Sequence, residues 1–87
     1  MDRRTLNENE CKMMFTLNTW TDLHMTDAKN WLEQGFYVCL ASSAMGHTMA
    51  EMVENEGIKR IKEIYGERVE VVIHDGWGDR YCHLLNK

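Results

Sequence analysis

The stretch FYVCLASSAMGHT, residues 36–48, joins the most apolar segment of the chain to the start of its longest helical pattern. Residues 36–41 are apolar without alternation, which is typical of a central strand covered on both faces. The small residues that follow open a helix, and the first N–H groups of a helix have no partner within it. Together with the helix dipole, such groups form a site for an anion. The stretch therefore predicts a strand-to-helix turn that binds an anion, and it also fits a surface turn without a ligand.

The chain before this stretch predicts an arm, a strand and a short helix. Residues 1–10 are polar and without period, which predicts a flexible N-terminal arm. Residues 12–18 alternate as a strand does. Thr26 is a suitable N-cap for a helix that ends at Gly35, so residues 19–25 are expected to form a loop. The two strands that flank this helix are expected to be parallel.

The chain after this stretch predicts two helices and a hairpin. The helical spacing continues to residue 65, but its stripe of large apolar residues changes phase near Asn55 and Gly57. We therefore expect the helix to break there. Residues 68–74 and 80–85 are strands joined by a loop rich in turn residues.

Together these patterns predict an α/β (α+β) fold. A single small mixed sheet of about four strands has flanking helices, in the order β-α-β-α-α-β-β. With 87 residues, one domain is expected, covering residues 11–87 after the arm.

Composition narrows the possible functions. The net charge of −4 opposes general nucleic-acid binding, including binding to double-stranded DNA. No apolar run approaches the length of a membrane span. Cys11, Cys39 and Cys82 are odd in number and show no Cys-x-x-Cys spacing, so neither a disulfide framework nor a structural zinc site is expected. We expect a protein of the reducing cytoplasm that uses no metal or other cofactor.

His47 is the residue of the opening stretch with the clearest chemistry. A histidine at a helix start can protonate an alkoxide that leaves from phosphorus. The N–H groups near Gly46 can hold the phosphate oxygens, and Ser42, Ser43 and Thr48 line the same turn. An exposed histidine without a role is the alternative.

Four further residues, Arg68, His74, Arg80 and His83, lie on or near the predicted hairpin. Their positive or protonatable side chains can complete a pocket for an anion. On paired strands, such residues also commonly form a solvated face.

Several short motifs resemble one family of small viral and bacterial proteins, which includes the type III anti-CRISPR ring nucleases. Residues 43–47, Ser-Ala-Met-Gly-His, resemble the Ser-Ala-Ile-Gly-His motif of that family. Residues 15–19 resemble its opening strand, and residues 68–71 resemble a later strand with an arginine. Gly78 and Asp79 match a Gly-Asp pair that follows.

The resemblance implies a homodimer that binds a cyclic tetra-adenylate second messenger across its two-fold axis. Cleavage in the family needs no metal, because a ribose 2′-hydroxyl attacks its own phosphate and the motif histidine protonates the leaving 5′-oxygen. On this sequence His47 would be that acid, and Arg68 would match the strand arginine. The family has an assisting Arg and Glu beyond the Gly-Asp pair, and residues 80–87 contain no such segment. We therefore expect a viral anti-defence protein that binds a cyclic oligoadenylate, with cleavage left open.

A second reading of the sequence is a small acidic interaction protein. A phage inhibitor of anti-CRISPR type that docks on a host protein has this size and charge. Trp20 and Trp77, both in predicted loops, are residues of the kind that anchor interfaces.

Overall fold

Tyr37–Ala41 is buried along its whole length, as its unbroken apolar sequence predicts. It is the third strand of a computed structural model that describes residues 2–12 and 20–85. Within those residues there are two α-helices and one mixed five-strand sheet. The strands are β1 Asp2–Arg4, β2 Cys11–Lys12, β3 Tyr37–Ala41, β4 Val69–His74 and β5 Arg80–Leu84, and the helices are α1 Asp22–Glu33 and α2 His47–Tyr65.

The predicted α+β fold is confirmed, with five strands where about four were expected. The additional strand is β1, which falls inside the predicted arm. The predicted strand over residues 12–18 shares only Lys12 with β2. Residues 13–19, and with them the whole of the 15–19 motif, lie outside the described residues.

Strand order in the sheet is β1-β4-β5-β3-β2. β1 is parallel to β4 and β2 is parallel to β3, whereas β5 is antiparallel to both of its neighbours. The β4–β5 hairpin confirms the prediction, and the predicted parallel pairing with β3 is present at Lys12, the one described residue of the predicted 12–18 strand. As a result, β1 to β4 all end at one edge of the sheet, here called the carboxyl edge, which is marked by Arg4, Lys12, Ala41 and His74.

Both helices pack on one face of the sheet. The buried residues of this layer come from both helices, from the segment before α1 and from the strands, and include Trp20, Ala28, Leu32, Val38, Leu40, Val53, Ile61 and Cys82. Burial of this apolar surface is the main favourable term in the stability of so small a domain.

The predicted break in the second helix is wrong, because α2 is continuous from His47 to Tyr65. Its buried stripe is made mostly of small or branched residues at helical spacing, namely Ala50, Val53, Glu54, Gly57 and Ile61. The large residues Met52 and Ile64, which produced the apparent change of phase, are exposed. Gly57 is buried under Trp20, whose ring fills the space that a side chain would need.

The opposite face of the sheet is covered by residues 5–10, which connect β1 at one edge to β2 at the other. Leu6 on this connection is buried in a second cluster with Tyr37, Cys39, Val72 and Tyr81. The predicted flexible arm is therefore wrong for residues 2–10. The segment is polar apart from Leu6, and the partner of its strand, β4, is distant in the chain, so no local pattern indicates that the segment packs on the sheet.

α1 begins one turn earlier than predicted. Thr21, and not Thr26, is the N-cap, and it forms a capping box with His24. The hydroxyl of Thr26 donates to the carbonyl of Asp22 inside the helix. The predicted end is confirmed, because Gly35 follows the C-cap with a φ of 95°.

Candidate functional site

The carboxyl edge brings together the ends of four strands and the start of α2. In sheets with parallel strands, ligands commonly bind outside the carboxyl ends of those strands. Two segments lie there: the serine turn, residues 42–46, between β3 and α2, and the 75–79 loop between β4 and β5.

The first half of the serine turn is held by an internal carboxylate. The N–H group of Ser43 donates to Oδ1 of Asp79 at 2.9 Å, and the hydroxyl oxygen of Ser43 lies 3.0 Å from the same carboxylate oxygen. The N–H group of Ala44 donates to the hydroxyl of Ser42 at 3.2 Å. The N–H groups of Ser43 and Ala44 are therefore already paired within the chain, and Asp79 occupies the position that an external anion would take there.

The second half of the turn leaves the start of α2 open. Gly46 is the N-cap of α2, with a φ of 85° that favours glycine, and no side chain in the described part of the chain caps this helix. Its carbonyl accepts the first helical bond, from the N–H of Ala50 at 3.0 Å. The N–H groups of the first turn therefore face outward together with the positive end of the dipole. This position, near Gly46, is the anion site that the backbone offers.

His47 and Thr48 are both exposed at this open end. The imidazole of His47 is 82% exposed, and its Nε2 lies 3.7 Å from Oε2 of Glu51 one turn along. A side chain with this freedom can reach a ligand on the first turn of α2 and transfer a proton to it. Ser42, Ser43, Gly46, His47 and Thr48 are thus brought together, as the sequence predicted.

Arg68 is not part of this group. It follows the far end of α2, whose 19 residues span about 27 Å at a rise of about 1.5 Å each. There it lines a cavity of about 340 Å³ with Leu32, Tyr65 and Leu84. Within one chain, Arg68 and His47 cannot act on the same phosphate.

Arg80 is turned toward the helix layer. Its Nε lies 3.6 Å from Oε1 of Glu54, a carboxylate on the buried stripe of α2. Burial raises the pKa of Glu54, and the positive charge of Arg80 partly opposes that rise. Arg80 is therefore engaged with an internal partner, although it adjoins Asp79 in sequence.

His83 lies on the opposite face of the sheet. Its Nε2 is 2.6 Å from Oε1 of Glu70, and its ring stacks on Tyr37 with 4.2 Å between ring centroids. Arg4 also binds Glu70, at 3.3 Å. The hydrogen bond from His83 lowers the pKa of Glu70, with a further contribution from Arg4. His83 was predicted to complete a pocket for an anion with the serine turn, but the structure places it on a carboxylate of its own hairpin, away from that turn.

Asp79 and Trp77 belong to the edge, although no role at the turn was predicted for either. Asp79 is buried, and the carbonyl of Trp77 accepts a hydrogen bond from the hydroxyl of Ser43 at 2.9 Å. Both contacts join residues more than 30 positions apart, so no local pattern reveals them. The only sequence signal was the Gly78-Asp79 pair of the resemblance.

A metal site and a reactive thiol are two other kinds of functional site, and both are built from side chains such as cysteine and histidine. Among the described residues, no group of three or more His, Cys, Asp or Glu side chains is placed to hold a metal ion. The three cysteines are unpaired, and burial raises the pKa of Cys39 to about 12. A thiol in that state is a poor nucleophile. Within the described ranges, neither helix has the length and apolar character to cross a membrane.

No protein-family model, curated protein or solved structure matches this chain.

Proposed function

We propose that this protein binds a phosphate-bearing nucleotide signal at the first turn of α2, and that the ligand is a cyclic oligoadenylate. The observation that carries the proposal is the open start of α2 at Gly46, with the exposed His47 beside it, on the carboxyl edge of the sheet. The ligand class comes from the resemblance of residues 43–47 to the ring-nuclease motif.

Binding is the core of the proposal, and cleavage is secondary. Within one chain, His47 is the residue that can act on the bound phosphate. Arg68, the other residue to which the resemblance assigns a part, lies about 27 Å away along α2. In a cleavage step, the ribose 2′-oxygen would bond to phosphorus as its proton leaves. The 5′-oxygen would depart with a proton from His47, and a cyclic 2′,3′-phosphate would remain.

The proposal includes a homodimer that acts in the cytoplasm, that of the host cell for a viral protein. Met49 and Met52 are exposed on α2 within two turns of His47, and Met52 is 63% exposed. A second copy that shares a two-fold ligand can cover such an apolar surface. Three unpaired cysteines fit a reducing compartment.

Substitution of Thr48 by Asp tests the binding site without removing the fold. A carboxylate in the first turn interacts favourably with the helix dipole, so Thr48→Asp should keep or raise stability by about 0.3–1 kcal/mol. The same carboxylate should abolish binding of cyclic tetra-adenylate measured by calorimetry. Asn55→Asp adds the same charge at an exposed position in the middle of α2 and should retain binding.

Product analysis after incubation with cyclic tetra-adenylate separates binding from cleavage. Any cleavage should disappear in His47→Ala while the melting temperature stays the same, since the imidazole is exposed. Absence of both binding and cleavage by the native protein would rule out the proposed function.

A second candidate function is docking on a host protein. It is favoured by exposed apolar side chains on the helices, of which Leu23 is 70% exposed. A host protein that copurifies equally with the native chain and with the Thr48→Asp variant, in the absence of nucleotide binding, would support this function over the first.

A further inference from the structure

Trp77 presents a fixed aromatic surface on the 75–79 loop. Its ring packs on that of His74 with 4.2 Å between centroids and an angle of 41° between planes. His74 is itself buried and meets the ring of Tyr81 edge-on at 6.0 Å. Trp77 is nevertheless 44% exposed, so part of its side chain is accessible to a ligand.

The ring of His74 contacts two aromatic side chains, those of Trp77 and Tyr81. Its Nδ1 is buried and makes no hydrogen bond to the described part of the chain. Its backbone, in contrast, organises the loop, because its carbonyl accepts bonds from Trp77 at 3.2 Å and Gly78 at 2.7 Å. His74 therefore holds Trp77 in two ways. Its ring packs on the indole, and its carbonyl accepts a hydrogen bond from the N–H of Trp77.

The loop also ties Trp77 to the serine turn. The hydroxyl of Ser43 donates to the carbonyl of Trp77, and Asp79 binds the N–H of the same serine. Gly78 has a φ of 72°, and a Cβ at that position would lie 3.7 Å from Cβ of Ser43. The main chain of Trp77 is thus in direct contact with the turn that leads into α2.

We infer that Trp77 is the platform on which the base of a nucleotide stacks while its phosphate binds the first turn of α2. A nucleobase has a π-face that stacks on an aromatic side chain, with a contribution of about 1–3 kcal/mol per base. The phosphate is served by the N–H groups and dipole of the helix start. The inference rests on the proposed function, and it adds the residue that recognises the base.

A pair of ligands that differ only in the base and sugar tests this inference. Adenosine triphosphate and inorganic tripolyphosphate both carry a chain of three phosphates, so binding of each by calorimetry in magnesium-free buffer separates the contribution of the adenosine. The native protein should bind adenosine triphosphate more tightly. Trp77→Ala should weaken that binding about tenfold and leave the affinity for tripolyphosphate unchanged.

Three further variants make the result specific. Trp77→Phe keeps an aromatic ring on His74 and should retain most of the preference for adenosine triphosphate, and it serves if Trp77→Ala fails to fold. Leu23→Ala removes another exposed apolar side chain, far from the loop in sequence, and should change neither affinity. Thr48→Asp should abolish binding of both ligands. Indole fluorescence should be quenched by adenosine triphosphate in the native protein and much less in Trp77→Phe.

The outcomes are distinguishable. If Trp77→Ala keeps the full preference for adenosine triphosphate, the inference is wrong and the phosphate site remains. If the native protein binds neither ligand nor cyclic tetra-adenylate, the proposed function fails and the inference fails with it.

Discussion

At the scale of single residues, Gly57 shows how one missing side chain shapes the helix layer. A Cβ at this position would lie 2.6 Å from Nε1 and 2.7 Å from Cε2 of Trp20, and 3.1 Å from Leu40. Trp20 and Leu40 are both fully buried, so neither has free space to move into. The glycine therefore marks a close contact between α2 and the tryptophan that precedes α1.

Substitution of Gly57 by Ala should destabilise the protein. Alanine is favoured over glycine in a helix by about 1 kcal/mol, but overpacking of a dense core costs about 1–3 kcal/mol. We expect the packing cost to exceed the gain, with a net loss of about 1 kcal/mol in the free energy of unfolding, measured by urea denaturation.

Asn55→Ala is the matched control, because Asn55 is exposed on the same helix and should gain stability slightly. A Gly57→Ala variant that is more stable than the native protein would show that Trp20 can shift away from α2.

At the scale of elements, two threonines near the start of α1 occupy different positions: Thr21 is the N-cap, and Thr26 lies inside the helix. Thr21 accepts a hydrogen bond from the N–H of His24 at 3.3 Å, whereas Thr26 only donates to the carbonyl one turn earlier. Thr21→Ala should lower the free energy of unfolding by about 1 kcal/mol, and Thr26→Ala should leave it nearly unchanged. Equal losses in the two variants, measured by thermal or urea denaturation, would place the helix start elsewhere.

The elements that the sequence predicts well are those decided by neighbouring residues. β3 has an unbroken apolar run, and the β4–β5 hairpin has alternating strands around a glycine-rich loop. The start of α1 was misjudged because Thr21 and Thr26 both satisfy the local rules for a cap. α2 was misjudged because its buried stripe is built from small residues, and only the distant Trp20 explains why Gly57 is among them.

The residues of the candidate site also divide into those that local sequence predicts and those that only contacts between distant residues bring in. Its serine turn and His47 follow from the strand-to-helix transition and were predicted. Asp79 and Trp77 meet Ser43 across the sheet, so the chain before folding contains no local sign of their contacts. Arg68 and Arg80 were grouped with the turn by charge alone, and the length of α2 and the internal partner Glu54 separate them from it.

At the scale of the whole molecule, two carboxylates on opposite sides of the sheet make stability depend on pH in opposite directions. Burial raises the pKa of Glu54 above 4.5 in the folded state, so its contribution is greatest at low pH and is lost as the pH rises through the folded pKa. The pKa of Glu70 is lowered by His83, so its contribution is present above the unfolded value and is lost as the pH falls below about 4.5.

Urea denaturation between about pH 3 and pH 7 should separate the two effects. Glu70→Gln should weaken the loss of stability on acidification, and Glu54→Gln should weaken the loss as the pH rises above about 4.5. The exposed Glu63→Gln serves as control and should follow the native profile. A native-like profile for Glu70→Gln would mean that His83 does not stabilise the charged carboxylate in solution.

The parallel pairing of β1 with β4 has a consequence for how the chain is made. Asp2 pairs with Val72, so β1 has no partner strand until β4 has been synthesised. Contacts between residues so distant in sequence form slowly, because a long loop must close before they form. The nascent chain on the ribosome cannot complete its sheet, and Leu6 cannot cover Val72 and Tyr81 until those residues have been translated. The sheet of this domain can therefore be completed only after β4 and β5 have been translated.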